Sequence, residues 1–357
     1  MNLNPRHFFI MLSCIFLLCL AWGYISTHSG TRVFKPRYKN SYNALENTGM
    51  ARHFVAMHLT LVAKINANHG LRHPIAMTVG QSGVVYILDW SDFKVKSFSA
   101  NGNFQHVYGA GKGINVDQFL NPTDVAVAHH YIWISDPRLD KIVGFPIKKG
   151  KIKWLHITGA PERVLGINHK LFILLGNGMQ GKLFELCNLI GHCGKPFGVF
   201  IRRQDRYGIA VDGWIASDPK MPALFYSGMR MGLFTSYTIN GHIRFVAATI
   251  NHKPLPTLES STSGLITFAN PRQTASLGLN AYQGRVYILS EIGFGGRAGQ
   301  RIIDVYNEMN GRYEFSIHAP GQCNQTIISS LLYCLSPRKV TIWNWAIPYS
   351  QTDVVKN

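Results

Sequence analysis

The sequence predicts an all-β fold, a six-bladed β-propeller behind an N-terminal signal or anchor segment. Three observations carry this expectation: the composition, an apolar leader, and a strand pattern that recurs along the chain. The chain has 357 residues, with 34 Gly, 16 Pro, 20 Phe, 15 Tyr and 7 Trp. Aromatic residues suit strands, and Gly and Pro suit tight turns, so this mix disfavours a helical bundle or coiled coil. A hydrophobic content of 46% with only 15% charged residues excludes a disordered chain.

The leader comes first. Residues 1–7 carry Arg6, and residues 8–25 then run without a charge, with the core FFIMLSCIFLLCLAW. A basic start, an apolar stretch and smaller residues after it have the layout of an export signal. Ala21-Trp22-Gly23 offers a cleavage site. Eighteen apolar residues also reach the lower limit for a spanning helix, so an uncleaved anchor through residues 8–25 is the alternative. Lipidation is disfavoured, because Leu18 precedes Cys19 where a small residue is wanted. Either version places the rest of the chain outside the cytoplasm, in a periplasm or on the outer face of the membrane. The expected organisation is 1–29 signal or anchor, 30–58 linker with a short helix, 59–347 propeller and 348–357 tail.

The cysteines agree with export. Beyond Cys14 and Cys19, four remain as two local pairs, Cys187/Cys193 and Cys323/Cys334. An even count at short separation in an exported chain reads as disulfides. Zinc competes for them, but neither spacing is a usual metal knuckle.

The repeat decides the fold. HPIAMTVGQSGVVYILDWSDFKVKSFSANGNF aligns with NPTDVAVAHHYIWISDPRLDKIVGFPIKKGKI at an offset of 47 residues. Tyr86 matches Trp133, Asp89 matches Asp136, Lys94 matches Lys141, and Phe98 and Phe145 each follow their aromatic by 12 residues. Weaker copies put the same aromatic at Phe172, Trp214, Tyr287 and Tyr333. A four-stranded unit of about 40–50 residues, repeated, is a propeller blade, and blades stack because one alone cannot bury both faces. The polar stretch at 251–264 and the glycine-rich 293–299 are surface insertions. The last unit ends near Trp345 without a fourth strand, so LTLVAKI at 59–65 is expected to close the ring there. Asp89 and Asp136 are expected to bind turn amides.

The run HPIAMTV, ILDW, KVKSF, NGNF, then FLNPTDVAV, WISD and KIVGF resembles the NHL-repeat type of six-bladed propeller. The resemblance is strong over 73–152 and loose over 160–347. It implies the fold. It leaves activity open, because propellers of this kind include lyases and lactone hydrolases with a metal at the channel mouth.

Catalytic chemistry has little material here. Neither HxH nor HExxH occurs among 15 histidines, and GxSxG and Walker loops are absent. His129-His130 falls in a turn, where alternation points the rings apart. His73, before Pro74, can face the channel. Asp124 and Glu291 are the better acids. No catalytic residue, metal ligand or cofactor is assigned.

Charge is the remaining clue. Lys+Arg number 36 against 18 Asp+Glu, a net +18 that comes from a shortage of acid. Arg163, Arg206 and Arg272 precede the inner strands of units three to five and could form an arc for an anion. Export disfavours nucleic acid as the partner. The residues therefore point to a non-catalytic binding or scaffold module for a protein partner or an anionic glycan or lipid. The ligand set is His73, Asp124, Arg163, Arg206 and Arg272. The alternative is a metal-dependent lyase or hydrolase at the channel mouth.

Overall fold

A computed structural model describes residues 32–34, 47, 49–176, 182–198, 208–218, 220–260, 266–269, 273–292 and 300–347. The expected signal (1–29) and tail (348–357) lie outside these residues, as do Arg206, Arg272 and the 293–299 insertion. Two compact units are distinguished: Met1–Lys35 with Thr257–Pro271, and Pro36–Pro256 with Arg272–Asn357. The first contains a three-stranded sheet in which β20 (Leu258–Ser260) pairs with both β1 (Arg32–Phe34) and β21 (Ile266–Phe268). Part of the insertion expected at 251–264 is thus a strand. Among the described residues, no helix is long and apolar enough to cross a membrane.

The second unit holds six antiparallel sheets among its described residues; five run outward in chain order, and the sixth takes an early strand as its outermost. Blade one is β3 (Pro74–Val79), β4 (Val85–Asp89), β5 (Lys94–Phe98) and β6 (Phe104–Tyr108). Blade two is β9 (Asp124–Ala128), β10 (Tyr131–Asp136), β11 (Lys141–Pro146) and β12 (Lys153–His156), after the small pair β7 (Gly111–Lys112) and β8 (Gln118–Phe119). Blade three is β13 (Pro161–Ile167), β14 (Lys170–Leu175) and β15 (Phe184–Asn188). Blade four is β16 (Gly213–Ala216), β17 (Ala223–Gly228), β18 (Leu233–Thr238) and β19 (Ile243–Ala248). Blade five is β22 (Gly278–Tyr282), β23 (Arg285–Ile292), β24 (Gln300–Asn307) and β25 (Tyr313–His318). Blade six is β26 (Gln325–Ile328), β27 (Leu332–Ser336), β28 (Lys339–Ala346) and, outermost, β2 (His58–Ile65).

Inner strands of successive blades touch, and β26 returns to β3, so the ring closes. Closure uses the strand expected from sequence: β2 pairs with β28, from His58 against Ala346 to Ile65 against Val340. Second strands lie between neighbouring blades and are buried on both faces, which is why β4, β17 and β27 read as continuous apolar runs.

Register explains the aromatic repeat. Val85, just before Tyr86, faces Phe98, and Ile132, just before Trp133, faces Phe145. The same relation sets Leu171 opposite Cys187, Leu224 opposite Tyr237, Val286 opposite Tyr306, and Leu332 opposite Trp343. The fourth aromatic is therefore Phe225, with Tyr237 as its partner, and not Trp214. Trp214 belongs to the inner strand β16 and fell into the series because Tyr226 also follows it by 12 residues. In blade three a disulfide cysteine replaces the outer aromatic. Trp133 fits only because Gly144 faces it; a Cβ there would lie 2.7 Å from the indole.

Both expected disulfides form. Cys187–Cys193 clips the tip after β15, and Cys323–Cys334 ties the entry of blade six to β27.

The repeated aspartates act as expected. Asp89 accepts the amides of Arg72, His73 and Ser91. Asp136 accepts those of Leu120, Asn121 and Arg138. Each fastens the entry of its own blade. The cation on Asp89 is Lys96, at 2.7 Å, two residues beyond the Lys94 of the repeat. Burial alone would raise the Asp89 pKa, but the Lys96 ammonium and these amides outweigh it and hold it near 2.

The linker holds a further anchor. Residues 49–57 contain no helix, and most of 30–48, where the linker was expected to hold one, lies outside the described residues. Arg52 instead makes two bonds to Asp304, at 2.9 and 3.1 Å, and Asn47 donates to the carbonyls of Ala248 and Gly311.

Candidate functional site

Inner strands all run the same way through the ring, so their turns gather at one end of the channel and their starts at the other. The turn end opens into a cavity of about 1350 Å3 that spreads across blades one to four. Its basic lining is His106 on β6, His129 and His130 between β9 and β10, Lys148 between β11 and β12, His169 between β13 and β14, and Lys220 before β17. Asp218 is the one carboxylate in the lining among the described residues.

The histidine tips have a specific backbone. His129 and His130 both have positive φ, 44° and 65°, and Asn168 beside His169 has 52°. A two-residue hairpin turn of this hand ordinarily takes Asn or Gly, because other side chains crowd the carbonyl. The tips carry imidazoles instead. The His129 ring centroid lies 5.2 Å from that of His130 and 4.7 Å from that of His169. The turn does not throw these rings apart as strand alternation would. Positive φ at both positions brings them to one side, and the next blade adds a third.

Asp218 is held in place. Its carboxylate accepts the amides of Lys220 at 2.8 Å and Gly284 at 3.1 Å, which ties blade four to blade five. The carboxyl of the buried Glu308 lies against it. Burial first, then the Asp218 charge, raises the Glu308 pKa to about 7.

The start end carries the sequence-predicted residues. His73 is exposed just before β3, and its amide is spent on Asp89. Asp124 is buried at the start of β9 and accepts the Val164 amide at 3.1 Å, a bond from blade two to blade three. Arg163 donates to the carbonyls of Thr123 at 3.0 Å and Gly213 at 3.4 Å, and lies over the Trp214 ring at 4.3 Å. The structure thus brings Asp124 and Arg163 together, with Glu162 and Asp212 beside them. Burial raises Asp124 to about 6 against the opposing pull of Arg163. Burial, then Asp212, raises Glu162 to about 7. With its donors on carbonyls and acids around it, Arg163 joins three blades. Glu291 is paired with Arg301 across β23 and β24.

Among the described residues, the group with three closely spaced ligand atoms is Glu185, Cys187 and Cys193. Both of its cysteines are in the disulfide, so it does not suit a metal.

Sequence reasoning missed the turn-end cluster. His129, His130 and His169 were visible as residues, but their meeting depends on hairpins of two blades. Glu162 and Glu308 left no local signal. The one available hint was the pair His129-His130 at a position where the repeat has a turn.

No protein-family model and no curated protein matches this chain. Solved structures do. A member of the DUF4221 family from Bacteroides vulgatus has a TM-score of 0.55 at 11% identity, covering 82% of this chain and 98% of that one. A virginiamycin B lyase from Staphylococcus aureus has a TM-score of 0.51 at 13% identity, covering 81% and 99%. A streptogramin B lyase has a TM-score of 0.52 at 11% identity, covering 81% and 98%. The likeness is one of fold. At such identities it carries no activity across.

Proposed function

We propose that this chain is an NHL-type propeller that works as a non-catalytic binding module in an extracytoplasmic compartment and takes an anionic partner at its turn end. One observation carries this reading: a wide cavity lined, among the described residues, by two lysines and four histidines against a single aspartate. A concave lining with an excess of basic groups concentrates counter-charge at its mouth. Two disulfides support an oxidising compartment, which agrees with an apolar leader that exports or anchors the chain.

The test is retention on immobilised heparin. A net charge of +18 gives some retention wherever the site is, so the control must carry the same charge change elsewhere. Lys148→Glu with Lys220→Glu is expected to weaken binding roughly tenfold, as two reversed contacts of ~0.5–1 kcal/mol would. Arg338→Glu with Lys339→Glu, at the β27–β28 turn on the opposite end, should change it far less. Equal losses in the two pairs would place binding on the general surface and refute the reading.

A second reading has its own observation. Asp124 and Glu162, raised to about 6 and about 7, stand with Arg163 at the start end, where a lyase or hydrolase would keep a proton donor. One firmly bound divalent ion per chain by elemental analysis would favour it.

A further inference from the structure

We infer that the turn-end cavity is a proton-gated receptor for a flexible anionic glycan, filled in mildly acid conditions and emptied above neutrality. This rests on the binding reading above and adds ligand class and regulation to it.

The gate is the group His129, His130 and His169. These rings lie within 4.7–5.2 Å of the central one, on tips whose backbone is held at positive φ. All three are exposed, and His106 joins them on the same lining. Histidine is the side chain whose charge ordinarily changes between pH 5 and 8. Protonating the four would take the charged lining from a net of one positive charge to five.

The cations facing the cluster are Lys148 and Lys220 on the lining and Lys170, next to His169 on β14. Their like charge disfavours protonation of the rings on its own, so an arriving anion and the protons favour each other. Lys153 is engaged over the Tyr131 ring at 4.6 Å. Tyr86 and Tyr108 line the cavity and stay neutral; burial lifts Tyr86 to about 12 and raises Tyr108. Asp218 is the opposing charge, and its neighbour Glu308 titrates at about 7, with Arg244 near it. Loss of the Glu308 proton as pH rises through about 7 also makes the mouth less attractive to an anion.

Shape favours a glycan chain over a membrane. The histidines line a concavity of about 1350 Å3, and a flat bilayer cannot bring its headgroups onto such a wall. A chain of sulfated or carboxylated sugars can enter and place several charges along it.

The test is equilibrium binding of fluorescent heparin oligosaccharide to the full chain at fixed ionic strength from pH 5.5 to 8.0. The expected result is at least tenfold tighter binding at pH 5.5. His129→Gln with His130→Gln and His169→Gln should reduce that ratio to about twofold. These side chains are exposed, so the variant should fold; an unchanged melting temperature checks this. Tight binding without pH dependence, or a full ratio in the triple variant, would overturn the gate and leave the binding reading standing. No binding at any pH would overturn both. Stronger capture by phosphatidylserine vesicles than by heparin would overturn the choice of a glycan.

Discussion

Arg52→Ala is expected to destabilise the propeller by about 3–5 kcal/mol, the usual cost of removing one partner from a buried ion pair. Asp304 is fully buried, and Arg52 makes two bonds to it while Ser316 Oγ adds a third at 2.7 Å. Without the guanidinium, a carboxylate is left inside the protein with one hydroxyl. Burial alone would lower the Arg52 pKa, yet the bond to Asp304 and its charge raise it, as an ion pair of real strength requires. Asp304→Asn in the Arg52→Ala background should recover part of the loss, since the buried charge goes with it. Urea denaturation measures both. A loss under ~1 kcal/mol would mean that the segment around residue 52 is not held on blade five through this pair.

Stability is expected to fall between pH 5 and 8 through three acids. Glu162 and Glu308 are raised to about 7, and Asp124 to about 6. A carboxyl whose folded pKa exceeds its unfolded value binds its proton more tightly when folded. Its contribution is full below the unfolded value and is lost as pH rises through the folded one. Each should remove on the order of 1–2 kcal/mol by pH 8. Asp89 has the opposite sign. Held near 2, it contributes above its unfolded value, and that contribution is lost as pH falls through 2. Glu162→Gln and Glu308→Gln should each flatten the decline in melting temperature between pH 5.5 and 8. An unaltered slope in both would show that these carboxyls are ionised throughout.

The sequence made the ring legible because blades are local. Alternation within β3 and β9, aromatics on the second strands, and aspartates that bind nearby amides all act within some 30 residues, so each leaves a pattern in the chain. Closure by 59–65 was also legible, since a blade short of one strand needs one from elsewhere. The phase of blade four was not. Trp214 imitated the spacing, and only the register shows that Phe225 holds the position. The site was less legible still. Asp124 and Arg163 were found because both sit at inner-strand starts. The three histidines, the Asp218–Glu308 pair and the Arg52–Asp304 anchor join positions far apart in sequence, which leaves no local trace.

The central claim is that an anion binds at the turn end of the channel. Hydrogen exchange with and without heparin oligosaccharide at pH 6 tests it most directly. Protection is expected at the tips around 129–130, 148 and 168–169, with little change at the strand starts around 124, 162–163 and 213. Protection confined to the strand starts, or spread evenly over the basic surface, would contradict it.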